Sequence, residues 1–294
     1  MSFTRTNSGI SNNHLFHNVD IIIYTEGGDK SFSIEDIEED KYNTSSIDIK
    51  FWSGLFNAAK LNRTVKFKAL GSKSVSKTIR DKINGNEIKN VAIALDRDLD
   101  FVLSQPKESP LILYTKGYSW ENDVYTEENT IEQIESFLLE QLLPENILHE
   151  ITTSYDDFKK VSQRLLRLEI IFRTKGIRFI TDMAGERFFN SKKSSKIDKK
   201  QITNIINQRK KLINERPAKL ELDIKDLCPI KNNYGKLIAA LSINIISYIC
   251  KKHSKITTTP RQILECNMLE RYISKQIESC DEYYKNIIDP IRNI

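Results

Sequence analysis

The chain has 294 residues and a mass of 34.1 kDa, enough for one large domain or two ordinary ones. With 39% hydrophobic and 29% charged residues it carries the apolar material for a core, which excludes disorder as its main character. The net charge of +5 conceals a division: residues 1–150 hold 16 Lys and Arg against 24 Asp and Glu, and residues 151–294 hold 29 against 16.

In chain order, the first half alternates strand-like and helix-like segments. A β-branched run at residues 19–25 ends in the turn Glu26-Gly27-Gly28-Asp29 and predicts a buried strand. An acidic stretch at residues 33–49 reads as a loop. A helix follows over 51–60, a strand over 64–70 and a helix over 74–83. The apolar run at 91–95, which leads into Asp96-Arg97-Asp98, predicts a third strand. Residues 110–115 supply a fourth and 131–143 a helix. Strands alternating with helices predict a largely parallel sheet flanked by helices, built of βαβ units.

From about residue 153 the pattern turns to long segments of helical period, at 158–174, 199–213, 236–252 and 265–288, with a short strand possible at 177–180. The fold class is therefore α/β followed by a mainly α-helical region, with the division expected near residue 150: 1–150 catalytic, 151–294 basic and helical. The longest apolar run, residues 237–250, is interrupted by Ser242, Asn244 and Ser247 and is shorter than the ~20 residues of a membrane span. The N-terminus shows no apolar leader, so a cytoplasmic protein without membrane contact is expected. Cys228, Cys250, Cys266 and Cys280 lack paired spacing, and His14 and His17 stand in a polar segment far from them, so a zinc site is disfavoured and reduced cysteines are expected.

Carboxylates mark the carboxyl ends of the proposed strands: Glu26 after the first, Asp96 and Asp98 after the third, and Glu121 a few residues beyond the fourth. That edge is where open α/β sheets form their sites. In an extended segment, residues i and i+2 project to one side, so Asp96 and Asp98 are expected to present two carboxylates together, an arrangement that calls for a cation. Hard oxygen donors favour Mg²⁺ or Mn²⁺. Acidic residues also end strands as turn formers and caps, which explains Asp29 and Asp100 equally well. Lys116, directly after the fourth strand, is either a neutraliser of charge developing on a phosphate or a plain surface lysine.

The run from Ile21 through Glu26-Gly27-Gly28-Asp29 to Phe32, followed by Ala92 through Asp96-Arg97-Asp98, resembles the Toprim domain of topoisomerases, primases and OLD-family nucleases. The resemblance spans roughly residues 18–145. It implies that Glu26, Asp96 and Asp98 bind divalent metal for phosphodiester chemistry. Ser119-Trp120-Glu121-Asn122 resembles a further element of the OLD-like branch, with Asp123 where that branch has tyrosine, and adds Glu121 to the implied ligands. The acidic stretch at 33–49 departs from the general Toprim pattern and reads as either a partner-binding loop or a solvated insertion.

The whole chain is similar to the AriB family of effector nucleases from the PARIS anti-phage defence system. This implies a metal-dependent endoribonuclease that cleaves host tRNA as a homodimer after release from a sensor ATPase of the ABC type, AriA. The rival readings are an OLD-type DNA-nicking nuclease and a non-catalytic Toprim regulatory subunit.

Residues 159–216 carry 17 basic and 5 acidic residues, a density that suits a polyanion. The densest candidates for phosphate contact are Lys192, Lys193, Lys196, Lys199, Lys200, Arg209, Lys210 and Lys211. The segment at 190–200, with its Ser-Lys repeats, reads as a mobile loop at a helix boundary, and Tyr118, Trp120, Phe188 and Phe189 are candidates for base stacking. The segment from Arg164 to Phe172 is amphipathic and suits either a docking helix or a core-facing one.

Overall fold

A computed structural model describes residues 7–104, 109–180, 185–211 and 227–293. The elements run α1 (Asn7–Phe16), β1 (Ile21–Thr25), α2 (Ile34–Glu38), α3 (Ile47–Ala58), β2 (Val65–Ala69), α4 (Lys73–Asn84), β3 (Val91–Leu95), α5 (Asp100–Leu103) and β4 (Ile112–Tyr114). They continue as α6 (Trp120–Val124), α7 (Glu127–Leu138), α8 (Glu145–Arg173), α9 (Lys199–Lys210), α10 (Gly235–His253), α11 (Arg261–Glu278) and α12 (Glu282–Ile288). The end of the helix expected over 199–213 lies outside the described residues. Among the described residues, no helix is long and apolar enough to cross a membrane.

The chain groups into two compact units. One is made of residues 1–97, 106–116 and 273–294, the other of 98–105 and 117–272. This division differs from a single cut near residue 150: the sequence after β4 joins the helical unit, and the C-terminal helix returns to the sheet.

The first unit is built on a four-stranded sheet of order β2-β1-β3-β4, parallel throughout. Parallel strands covered on both faces need continuous apolar runs. β1 and β3 supply them, with Ile21–Tyr24 and Val91–Leu95 buried. Ser46 starts α3 by accepting a hydrogen bond from Ile49 N, and the helix buries Phe51, Trp52, Leu55 and Phe56. Tyr284 of α12 meets Phe51 and Trp52 edge-on, with ring centroids 5.8 and 5.9 Å away. The Arg292 guanidinium donates to the carbonyls of Ala59 and Lys60 where α3 ends. These contacts make the C-terminal segment part of the sheet unit.

Two expectations are corrected here, and one helix is added that no reading anticipated. The polar N-terminal segment forms α1, which buries Ile10 and Asn13. The acidic stretch at 33–49 is not a loop throughout: Ser33 and Asp36 close a capping box that starts α2, which buries Ile37. The segment expected as one helix over 265–288 breaks before Asp281, whose carboxylate accepts from Tyr283 N and starts α12.

The second unit is helical. α8 runs for 29 residues and turns Ile151, Tyr155, Phe158, Leu165, Leu166 and Ile170 inward, so the amphipathic face from Arg164 to Phe172 is a core face. The Thr130 hydroxyl on α7 lies 2.7 Å from Tyr155 Oη and 2.6 Å from Ser242 Oγ, joining α7, α8 and α10 through buried polar groups that satisfy one another. Residues 177–180 form no strand. Glu169 Oε2 accepts from Phe179 N and Ile180 N at 3.1 and 2.8 Å, and Glu169 Oε1 accepts from Arg173 Nε at 2.6 Å, so these backbone donors are satisfied by a side chain.

Candidate metal centre and nucleic-acid interface

In the first unit, Thr25 on β1 pairs with Ala94 on β3 in parallel register. Glu26 therefore follows its strand at the level of Leu95, and Asp96 stands one residue beyond, at the same carboxyl edge of neighbouring strands. Both are half-buried. Parallel strands lie about 4.8 Å apart, so the two residues end neighbouring strands at one edge of the sheet.

The end of β2 fixes the turn that carries Glu26. Leu70 N donates to Thr25 O at 2.9 Å and Gly71 N to Gly27 O at 3.1 Å. Asn43, within the acidic insertion, donates from Nδ2 to Lys30 O and accepts at Oδ1 from Lys30 N, while its backbone forms an antiparallel bridge with Ala69. Gly28 has φ +140°, a conformation glycine alone adopts readily, and a Cβ there would lie 2.2 Å from Asn43 Nδ2. A Cβ on Gly27 would lie 1.6 Å from Asp48 Oδ2. Asp48, in the first turn of α3, thus brings a further carboxylate against the glutamate turn. Sequence reasoning missed it, because nothing in the acidic insertion distinguishes Asp48 from its neighbours.

Past Leu95 the chain is no longer extended. Arg97 N donates to Thr115 Oγ1 at 3.0 Å, and the Arg97 guanidinium lies over the Tyr283 ring, 5.4 Å from its centroid. Asp98 has φ +51°, so strand alternation does not relate it to Asp96, which corrects the i, i+2 expectation. In the second unit, Asp98 N donates to Tyr118 O at 2.8 Å. Burial, and next the charge of Asp98, push the Tyr118 hydroxyl far above the ordinary tyrosine range.

Glu121 is 7% exposed and accepts from Ser119 Oγ at 2.5 Å. Burial pushes its carboxyl up, against the opposing effect of the Ser119 hydrogen bond. Asn122 completes this corner. It accepts from Ser119 N and donates to the carbonyls of Ile230 and Asn233, while Asp123 accepts from Gly117 N. The Ser-x-Glu-Asn element is thereby an internal brace of the helical unit, and Glu121 is enclosed within it. Lys116, in the sheet unit, is committed to Asp281, with Nζ 2.5 Å from Oδ2.

Among the described residues, no three His, Cys, Asp or Glu side chains converge as a ready-made metal-binding group. The donor chemistry of Glu26 and Asp96 nonetheless fits a hard divalent cation such as Mg²⁺ or Mn²⁺: carboxylate oxygens at a common sheet edge, with no sulfur or imidazole in their segments. The four cysteines are free, and burial pushes the Cys250 thiol up to about 11.

In the basic set of the helical unit, Lys192, Lys193, Lys196, Lys199, Lys200, Lys210 and Lys211 are exposed, and Arg209 is half-buried. They are not equivalent. Asp157 of α8 takes Lys196 and Lys199, at 3.5 and 3.3 Å. Two expectations are corrected. The segment expected as a loop over 190–200 is a hydrogen-bonded turn with Ser195 and Ile197 buried, and α9 begins at Lys199. The aromatic candidates for stacking are packed inward, with Tyr118, Trp120 and Phe188 buried and Phe189 stacked on Phe158.

No family model matches the chain, and no curated protein matches it significantly.

Proposed function

We propose that the chain is a metal-dependent endoribonuclease effector of an anti-phage abortive-infection system. In this reading it cleaves host tRNA as a homodimer after release from a partner ABC-type ATPase. The observation that supports the chemistry is the β1–β3 register, which sets Glu26 and Asp96 at one carboxyl edge of a parallel sheet. Asp98 enters the proposed donor set from the sequence resemblance alone. The tRNA substrate and the ATPase partner rest on the sequence resemblance.

Glu26, Asp96 and Asp98 would hold Mg²⁺ or Mn²⁺, which when bound supplies Lewis-acid polarisation of a phosphodiester. The chain's own groups do the rest. Asn43 and the end of β2 hold the Glu26 turn in place. Tyr283 draws the Arg97 side chain toward itself, with Arg97 Nη2 3.4 Å from the Tyr283 hydroxyl. Exposed lysines of the helical unit position the phosphate backbone without reading sequence.

The test is expression of the wild type and Glu26→Ala free of the ATPase, with sequencing of RNA ends and gel analysis of plasmid DNA. New tRNA ends in the wild type alone are expected. Intact tRNA with nicked plasmid would replace this reading with a DNA nickase, and identical RNA and DNA in both strains would point to a non-catalytic protein.

A further inference from the structure

The basic candidates differ in what the fold has already done with their charge. Lys196 and Lys199 face Asp157, whose carboxyl is held below the ordinary value by these two ammoniums despite partial burial. Among the described residues, no carboxylate pairs with Lys192 or Lys193. Both sit on a turn fixed from within: Asn190 Oδ1 accepts from Lys192 N at 3.1 Å, and Asn190 O accepts from Lys193 N and Ser194 N at 2.9 and 3.0 Å. The turn is fastened to the helices beneath it. Asn244 Nδ2 on α10 donates to Ser194 O and Ser195 O at 3.1 and 3.0 Å, and the Ser195 hydroxyl is 2.8 Å from Ser154 Oγ on α8.

Lys251 stands seven residues after Asn244 and so on the same face of α10. Its ammonium donates to Ser191 Oγ at 3.2 Å, on the turn that carries Lys192 and Lys193. Lys251 is exposed, and no carboxylate of the described residues pairs with it. An ammonium has three donors, and this contact uses one. Lys252, the next residue, is different, because it pairs with Glu150 at 2.9 Å.

We infer that Lys192, Lys193 and Lys251 form one phosphate-binding face that holds the backbone of a nucleic acid, and that Lys196 and Lys199 serve Asp157 instead. The inference rests on the nucleic-acid reading above and deepens it by naming the contact residues, one of them remote in sequence. Exposed like charges on a fixed turn and helix end suit a polyanion, whose counterions are released when it binds.

The experiment uses the full chain carrying Glu26→Ala, in EDTA, binding fluorescently labelled tRNA across a salt titration. The combined variant Lys192→Gln, Lys193→Gln, Lys251→Gln is expected to weaken binding about tenfold or more and to reduce the slope of log affinity against log salt by about two to three. Lys251→Gln alone should reduce it by about one. The pair Lys196→Gln, Lys199→Gln should leave the slope within about half a unit of the parent. Unchanged thermal midpoints would show that each variant is folded. An unchanged slope in the triple variant, or equal losses in the triple and the pair, would overturn the inference while leaving tRNA cleavage by the wild type intact. The expected slopes, together with a wild type that cleaves neither tRNA nor DNA in Mg²⁺, would support the face and overturn the catalytic reading.

Discussion

Asp40 accepts a hydrogen bond of 2.6 Å from Lys68, a lysine in the middle of β2 whose side chain is 1% exposed. Asn13 and His17 of the α1 segment donate to the same carboxylate. The acidic insertion therefore supplies the counter-charge that lets β2 carry a buried lysine. Burial pushes the Lys68 ammonium down, and Asp40 opposes it. Removing one partner of such a pair leaves a buried charge exposed to desolvation alone. Asp40→Asn is expected to destabilise the chain by about 2–3 kcal/mol, below the cost for a fully enclosed pair because the carboxylate is 30% exposed. Lys68→Met in the Asp40→Asn background should recover most of the loss. Urea unfolding of the three proteins measures both, and a double variant no more stable than the single one would contradict the account.

The same pair sets a pH dependence. Burial tends to raise the Asp40 carboxyl, but the Lys68 hydrogen bond and charge, with His17 and Asn13, hold it below its ordinary value of 3.8. A carboxyl depressed by folding contributes stability above its unfolded value and loses it as pH falls through the folded one. The wild type should therefore lose more stability than Asp40→Asn on acidification below about pH 4. Parallel acid limbs in thermal unfolding would show that the pair contributes nothing.

Glu121 behaves in the opposite sense. Burial raises its carboxyl above the ordinary 4.5, so the native state binds a proton that the unfolded chain has released, and stability falls as pH rises from 4.5 toward the folded value. Glu121→Gln removes that slope. The stability of the variant relative to wild type should rise as pH climbs above 4.5, by at most about 1.4 kcal/mol per pH unit. A difference that stays flat with pH would mean that Glu121 is ionised in the fold.

The two glycines after Glu26 should respond unequally to alanine. At Gly28 the backbone is strained for any side chain and the Cβ meets Asn43, so Gly28→Ala should cost about 1–3 kcal/mol and loosen the Glu26 turn. At Gly27 the backbone is not left-handed and the obstacle is the Asp48 side chain alone, so the cost should be smaller than at Gly28. Equal midpoints in chemical denaturation would refute this ranking.

The sheet was legible in the sequence because buried parallel strands need unbroken apolar runs, and residues 21–24 and 91–95 are such runs bounded by turn residues. Glu26 and Asp96 follow from the ends of those runs. What was not legible depends on partners distant in the chain or on local backbone geometry. α1 is rich in Asn and Ser and shows little apolar period, yet it forms because Ile10 and Asn13 are buried. Lys116 meets Asp281, 165 residues away. Lys251 joins the turn at Ser191 only because Asn244 fastens that turn to α10. The left-handed backbone at Asp98 breaks the alternation that an extended reading assumed. The Ser119-Trp120-Glu121-Asn122 motif was recognised, but its hydrogen bonds to residues 230 and 233 become visible only in the fold.

The central claim is that the Glu26–Asp96 edge carries metal-dependent phosphodiester chemistry, and the most direct measurement is the cleavage rate of purified tRNA by the ATPase-free chain in Mg²⁺. Glu26→Gln and Asp96→Asn should each lower that rate at least about a hundredfold with thermal midpoints close to wild type, and EDTA should abolish cleavage by the wild type. Wild-type cleavage rates in a folded Glu26→Gln or Asp96→Asn variant would contradict it.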